Sequence, residues 1–306
     1  MPGFRTDLAM EAFDGANRHS LPGVRVDRRE RDGAALTEVE ITDGAAAEAL
    51  GKPVGRYLTL ECPGLRHPDP AKRQTVAALL AEALGQLLPA EPGAGALVVG
   101  LGNREITPDA LGPAVVDRTL VTRHLTGDLA PAEDLRPVSA IAPGVLGVTG
   151  IETMELVESL VRLVRPGVVL CVDSLAARDS HRLGTTFQLT DAGIQPGAGV
   201  GNHRRALNRE SVGAPVVAIG MPTVIHAATL ARDAFDWLSR EDGDAEDREA
   251  ALQDMERALL GGEPGGMIVT PREIDSMIQD AAEIVATAVN RALQPGFTPA
   301  ELDALI

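Results

Sequence analysis

The sequence predicts an α/β fold, a mostly parallel sheet covered by helices, and three observations carry that expectation. Aromatic residues make up only 2% of the 306-residue chain while 44% is hydrophobic. The core must therefore be built from aliphatic side chains on helices and buried strands, which disfavours an all-β sandwich. Three short runs, ALVVGLG at 96–102, VVLCVD at 168–173 and PVVAIG at 215–220, are apolar at every position rather than at alternate ones, as in strands buried on both faces of a parallel sheet. Helix candidates follow or separate them at 109–124, 152–164 and 224–238, and strands alternating with helices mark that architecture. The length suffices for one substantial core, so a single domain is expected.

The remaining elements follow in order. The first 35 residues are polar and charged, ending in the run 27–32, and read as an arm with little core of its own. Leu36, Val39 and Ile41, then Tyr57, Leu58 and Leu60, suggest two short strands around turns at Gly44 and Gly51. An Ala-rich stretch at 71–88 reads as a helix ended by Pro89. Residues 239–266, opening on REDGDAED and closing on GGEPGG, read as a linker or surface insertion around a short helix. Thr270 and Pro271 start a last long helix reaching about Leu293, with the proline in the tolerated first turn.

The formal net charge of −16 argues against a surface that neutralises nucleic-acid phosphates. An acidic field suits a basic protein substrate, and it is equally the ordinary surface of many acidic enzymes. The two cysteines, Cys62 and Cys171, can build neither a disulfide framework nor a four-thiolate zinc site, so a reduced cytoplasm is the expected compartment. No apolar run has the length of a membrane-spanning helix, and the N-terminus MPGFRTDLAM has no signal-peptide core.

The stretch that carries chemistry is GLGNREITPDALGP at 100–113, directly after a buried strand. Gly100 and Gly102, with Asn103, form a loop in which glycine lets the backbone turn sharply. Thr107 reads as a helix cap, Pro108 as a first-turn residue and Asp109 as an anion at the positive helix end. That last role competes with a catalytic one. Asp173 ends the run VVLCVD, so it too falls at the carboxyl edge of the sheet, where open α/β sheets bind their ligands. Two such carboxylates can share a water, one ionised as base and one protonated as acid.

Rival chemistries find less in the sequence. After Gly100 and Gly102 a dinucleotide fingerprint needs a third glycine where Glu105 stands, and a phosphate-loop lysine is missing. Asp109 and Asp173 are hard oxygen ligands that His181 or His226 could join around a metal, without any paired His or Cys spacing. Ser174 has no nucleophile elbow around it, and Cys171 lies inside an apolar run, as a small core residue does.

A series of motifs resembles the germination proteases of spore-forming bacteria. It comprises RTDLAMEA (5–12), GLGN with TPDALGP (100–113), RPVSAIAPGVLGVTGIET (136–153), DSLAAR (173–178), DAGIQPGAGVGN (191–202), IGMPTV (219–224) and VTPREID (269–275), in that order. The resemblance implies a three-layer α/β/α fold with a mostly parallel or mixed sheet, shared with the hydrogenase-maturation peptidases, beside a small N-terminal β-containing segment. It implies an endopeptidase that degrades small acid-soluble spore proteins in the spore core, aspartic in type and without a required metal or other cofactor. It maps the two essential aspartates onto Asp109 and Asp173. It further implies a homotetramer made as a zymogen, with self-cleavage in a T-[DE]-[LIF]-A frame that is Thr6, Asp7, Leu8 and Ala9 here.

The expected scissile bond is thus Asp7–Leu8, leaving 1–7 as a short propeptide and 8–306 as one peptidase domain. The chain departs from the family pattern at Ser174, where alanine is common, at His226, where an acid is expected, and over 239–266, which is shorter. Two alternatives stay open: a metal-dependent maturation-type peptidase using the same acids, and an inactive paralogue that binds spore proteins.

Overall fold

Aliphatic runs and charged runs take opposite places in one mixed sheet. The computed structural model describes residues 6–16, 21–89, 94–125, 135–197, 205–230, 233 and 267–305. The chain starts with helix α1 (Ala9–Gly15), strands β1 (Val24–Arg31) and β2 (Ala34–Ile41), helix α2 (Gly44–Leu50) and strand β3 (Gly55–Glu61). The expected coreless arm is corrected here. The charged run 27–32 largely forms β1, antiparallel to β2 from Val24 opposite Ile41 to Arg31 opposite Ala34. Its arginines and acids lie at the outer edge of the sheet, where charge blunts an otherwise open row of backbone donors and acceptors.

Leu8 and Ala9, in that same arm, have no exposed surface. Leu8 packs with Leu175, Ala177, Leu183 and Ile225, while Ala9 and Met10 pack with Val39, Ile41 and Tyr57. Burying Leu8 contributes roughly 2 kcal/mol, enough to offset the roughly 1–2 kcal/mol of backbone entropy lost in fixing it. Between β2 and β3, where only turns at Gly44 and Gly51 were expected, α2 fills the interval. Asp43 caps it by accepting the Ala46 N–H at 2.9 Å, and Gly51 closes it in the left-handed region.

Helix α3 (Pro70–Gly85) is capped by Asp69, which accepts the Lys72 N–H at 2.7 Å, and ends ahead of Pro89. Strand β4 (Ala96–Gly100) leads through a tight turn to a short α4 (Leu111–Val116), then β5 (Val138–Ile141), α5 (Leu146–Thr149) and α6 (Thr153–Val164). A helix over all of 109–124 does not form. Beyond Thr119 the backbone donors turn to tertiary partners, Leu120 N–H to Asn290 Oδ1 at 2.9 Å and Thr122 N–H to Val138 C=O at 3.0 Å.

Strand β6 (Val168–Ala177), β7 (Thr186–Thr190), α7 (Arg209–Val212) and β8 (Val216–His226) follow, then β9 (Ile268–Val269), α8 (Ile274–Leu293) and α9 (Pro299–Asp303). The helix expected from 224 is displaced because Ile225 and His226 pair with Val269 and Ile268 of β9; residues 227–230 are helical. Helix α8 starts three residues after Pro271, whose C=O first accepts the Ile274 N–H in a turn. The expected linker at 239–266 lies outside the described residues.

The sheet order is β1-β2-β3-β7-β8-β6-β4-β5, with β9 joined to the end of β8. Strands β5, β4, β6 and β8 are parallel and the wing from β7 to β1 is antiparallel, so the sheet is mixed. Alternation makes the layers: Val98, Leu170, Val172, Val217 and Ile219 pack under α3, α4 and α8, whereas Leu97, Val99, Val169, Cys171 and Ala218 pack under α6 and α7. The three apolar runs are therefore covered on both faces, and the fold is α/β/α. Among the described residues no helix is long and apolar enough to cross a membrane.

Glu11 ties α1 to the end of β6. It accepts the N–H groups of Arg178 at 2.7 Å and Asp179 at 3.0 Å, a bond from Thr6 Oγ1, and pairs with Arg182 Nε at 3.3 Å. Burial raises its pKa above the ordinary 4.5, although these partners pull it down. A carboxyl whose native pKa is raised contributes stability that is full below the unfolded pKa and is lost as pH rises through the native one. Glu11→Gln abolishes that loss, so melting temperatures followed by circular dichroism from about pH 4.3 to 7 should shift progressively in favour of the variant relative to the parent.

Candidate active site

The turn after β4 is built around one glycine and one aspartate. Gly102 has φ +109°, and a Cβ there would lie 2.0 Å from the Asp109 carbonyl oxygen, so the position demands glycine. The Asn103 N–H donates both to that carbonyl, at 3.0 Å, and to Asp109 Oδ2, at 2.8 Å. Asn103 Oδ1 in turn accepts the Glu105 N–H at 3.0 Å. Residues Thr107–Asp109 form a single 3₁₀ turn entered from Ile106 with no side-chain cap. The expected cap at Thr107 is thereby corrected: the short turn is held by tertiary bonds instead. Thr223 Oγ1 of β8 donates to Pro108 C=O at 2.7 Å, and Thr270 Oγ1 donates to Thr223 C=O at 2.8 Å.

Asp173 is 5% exposed on β6, opposite Gly220 of β8 in register. Its Oδ1 accepts the Ser174 N–H at 2.9 Å. The preceding residue, Val172, accepts the Leu101 N–H at 2.8 Å and faces Gly100, the last residue of β4. The two aspartates are thus joined through a short backbone route, from Val172 to Leu101, Gly102 and Asn103, and on to Asp109. Both line one cleft of about 440 Å³, with Gly102, Thr153, Ser174 and Thr223 among its walls. It lies at the carboxyl ends of β4 and β6, beside the turn that leads into α4 and the first residue of α6, Thr153, the crevice in which open α/β folds bind ligands.

The other candidates fall elsewhere. Cys171 is buried inside β6, and burial, with the nearby Asp173, drives its thiol far above the ordinary range; Cys62 is pushed up to about 12 by burial. Neither supplies a thiolate nucleophile at neutral pH. The imidazole of His181 stands in solvent beside Asp179, and neither it nor His226 lines the cleft. Among the described residues, three or more His, Cys, Asp or Glu side chains are nowhere gathered to hold a metal ion.

The N-terminal segment comes to the same cleft. Asp7 donates its N–H to Ala176 C=O at 3.0 Å and accepts the Ala176 N–H on Oδ2 at 2.8 Å. Its carbonyl accepts from Gln188 Nε2 at 2.8 Å and from Lys52 Nζ at 3.1 Å. Lys52 also donates to Thr6 C=O at 2.8 Å, and Gln188 Oε1 accepts the Ala9 N–H at 2.6 Å. Burial pulls the Lys52 ammonium below its ordinary range, opposed by the carboxylates of Asp7 and Glu11. Asp7 lines the main cleft and also a smaller one of about 140 Å³, shared with Lys52, Asp173 and Gln188.

Sequence reasoning singled out Asp109, Asp173, the glycine loop, Asp7 and Leu8, and gave no role to Lys52, Gln188 or Glu11, although Glu11 lies in the stretch RTDLAMEA. For Lys52 the available signal was that it is one of only two lysines in a chain whose other cations are arginines.

Known proteins resemble this chain in sequence. A family model described as germination protease matches residues 6–261. The germination protease of Caldanaerobacter subterraneus subsp. tengcongensis is 41% identical over 319 residues, covering 99% of this chain and 98% of that protein. The germination protease of Clostridium perfringens is 41% identical over 315 residues, covering 97% of each. Among solved structures, a NiFe hydrogenase maturation protease from Thermococcus kodakarensis KOD1 aligns at 16% identity and a TM-score of 0.34, over 68% of this chain and 98% of that one.

Gly102→Ala should be costly, because the new Cβ must displace the Asp109 backbone as well as occupy a strained φ. A loss of roughly 2–4 kcal/mol in stability is expected, measured by urea unfolding against a parent of unchanged m-value.

Proposed function

The chain belongs to the germination protease family, and on that premise we propose that Asp109 and Asp173 together activate a water for peptide-bond hydrolysis. Membership makes the protein a peptidase of spore germination. Its substrates, on this reading, are small acid-soluble spore proteins, cut after an acidic residue within the spore core. Family resemblance also leads to a homotetramer and to a zymogen that cuts itself between Asp7 and Leu8.

The observation that carries the reading is that both carboxylates line one cleft and are tied together through the Leu101–Val172 and Asn103–Asp109 hydrogen bonds. On this reading the two carboxylates hold one proton between them, because a close pair does not doubly ionise cheaply. The ionised member takes a proton from water while the hydroxyl bonds to the scissile carbonyl carbon. The protonated member donates to the departing amine as the C–N bond breaks, leaving a new carboxyl and a new N-terminus. Self-cleavage is supported by the seating of Asp7 in that same cleft, with Leu8 buried beside it.

Asp109→Asn and Asp173→Asn should each abolish cleavage of a small acid-soluble spore protein while leaving the circular dichroism spectrum intact; turnover near the parent rate in either variant defeats the pair. Activity is expected to survive a chelator, whereas loss with rescue by a divalent ion would replace this mechanism by a metal-dependent one. Mass spectrometry of the incubated chain should find a new N-terminus at Leu8, and a cut at another bond counts against the assigned site.

A further inference from the structure

Resting on the reading that Asp7–Leu8 is a bond this enzyme cuts, we infer that Lys52 and Gln188 are catalytic residues that bind the scissile carbonyl oxygen and stabilise the charge it develops. In the structure they grip the Asp7 carbonyl from two sides, Gln188 Nε2 at 2.8 Å and Lys52 Nζ at 3.1 Å. Two donors converging on one carbonyl oxygen are the arrangement an oxyanion hole needs, and both can follow the oxygen as its charge develops. Gln188 also accepts the Ala9 N–H at 2.6 Å. One side-chain amide therefore spans the Asp7–Leu8 bond, its oxygen held by the downstream N–H and its nitrogen turned to the upstream carbonyl.

Register sets Gln188 in line with Asp173, and Lys52 reaches the same Asp7 carbonyl from the loop between α2 and β3. Gly220 of β8 faces Asp173 of β6 on one side and Gln188 of β7 on the other, so the three α-carbons form one row across the sheet. Side chains of such a row rise from the same face, and two strand spacings separate the outer residues by roughly 9–10 Å. Glycine stands between them. A Cβ at Gly220 would come within 2.7 Å of the Asp173 carbonyl oxygen and of the Leu175 side chain, so the middle of the row has no room for a side chain of its own. Asp7, Lys52, Asp173, Gln188 and Gly220 line one and the same small cavity.

When water adds to the carbonyl carbon, the carbonyl oxygen becomes an alkoxide and shortens its bonds to the ammonium and the amide N–H. When the C–N bond breaks, the double bond re-forms and the donors keep their protons. Lys52 and Gln188 thus exchange no proton with the substrate. Their charge and dipole are already oriented before reaction, Lys52 by the second bond to Thr6 C=O and Gln188 by the Ala9 N–H.

The test uses the intact chain and its own Asp7–Leu8 bond. Lys52→Met removes one donor while keeping the aliphatic stem; Gln188→Glu removes the other while keeping the acceptor for Ala9. The first-order rate of self-cleavage is read by mass spectrometry, and seating of the segment is read separately from hydrogen-exchange protection of residues 8–11. The expected result is a rate at least about 100-fold lower in each variant, with protection retained and with Lys52→Arg recovering part of the rate. Rates within about threefold of the parent overturn the inference, as does a fall in rate matched by an equal loss of protection, which would make the pair a docking contact. A parent chain that never cuts Asp7–Leu8 removes the self-cleavage reading and this inference with it, a pattern distinct from an active parent with active variants.

Discussion

The hydrogen bond from the Leu101 N–H to the Val172 carbonyl, 2.8 Å long, is the contact on which the site depends. It extends the pairing of β4 with β6 by one residue beyond Gly100, so the chain leaves the sheet already committed to crossing above β6. Everything after it is a short reach. Gly102 turns the backbone, Asn103 catches Asp109 by carbonyl and carboxylate together, and Asp173 follows Val172 directly in sequence. Two acids separated by 64 positions in the numbering share a cleft because a parallel strand pair brings its carboxyl ends together.

Further segments lock that arrangement without entering it. Thr223, fully buried on β8, holds the Pro108 carbonyl, and Thr270 holds Thr223. The motifs TPDALGP, IGMPTV and VTPREID are thereby one hydrogen-bonded unit. An uncapped three-residue 3₁₀ turn has little stability of its own, and these bonds supply what local propensity does not. The same substitution of tertiary for local support explains α4, which stops after six residues while the following amides go to Asn290 and β5.

The N-terminal segment is held by different forces. Leu8 and Ala9 are buried by hydrophobic contact, whereas Thr6 and Asp7 are held by a lysine, a glutamine and the backbone of Ala176. Glu11 fastens the far side through two backbone amides and Arg182. Apolar anchoring downstream of the Asp7–Leu8 bond and polar anchoring upstream of it leave the bond itself at the boundary, and Asp7 lines the same cleft as Asp173.

The sequence by itself determined the layers and the position of both acids. Short runs apolar at every residue fit strands covered twice, and an aspartate at the end of such a run, or just beyond a glycine turn after one, then falls at the sheet edge. That information is local: it lies within about ten residues and needs no knowledge of partners. The antiparallel wing was only half legible, because the charges of 27–32 describe an exposed edge strand and an unstructured arm equally well. Only the tertiary structure decided that Asp7 meets Lys52, 45 residues away, and Gln188, 181 residues away. Those side chains sit in no motif: strand order and register bring Gln188 to one side of Gly220 and Asp173 to the other, while Lys52 comes from the loop between α2 and β3.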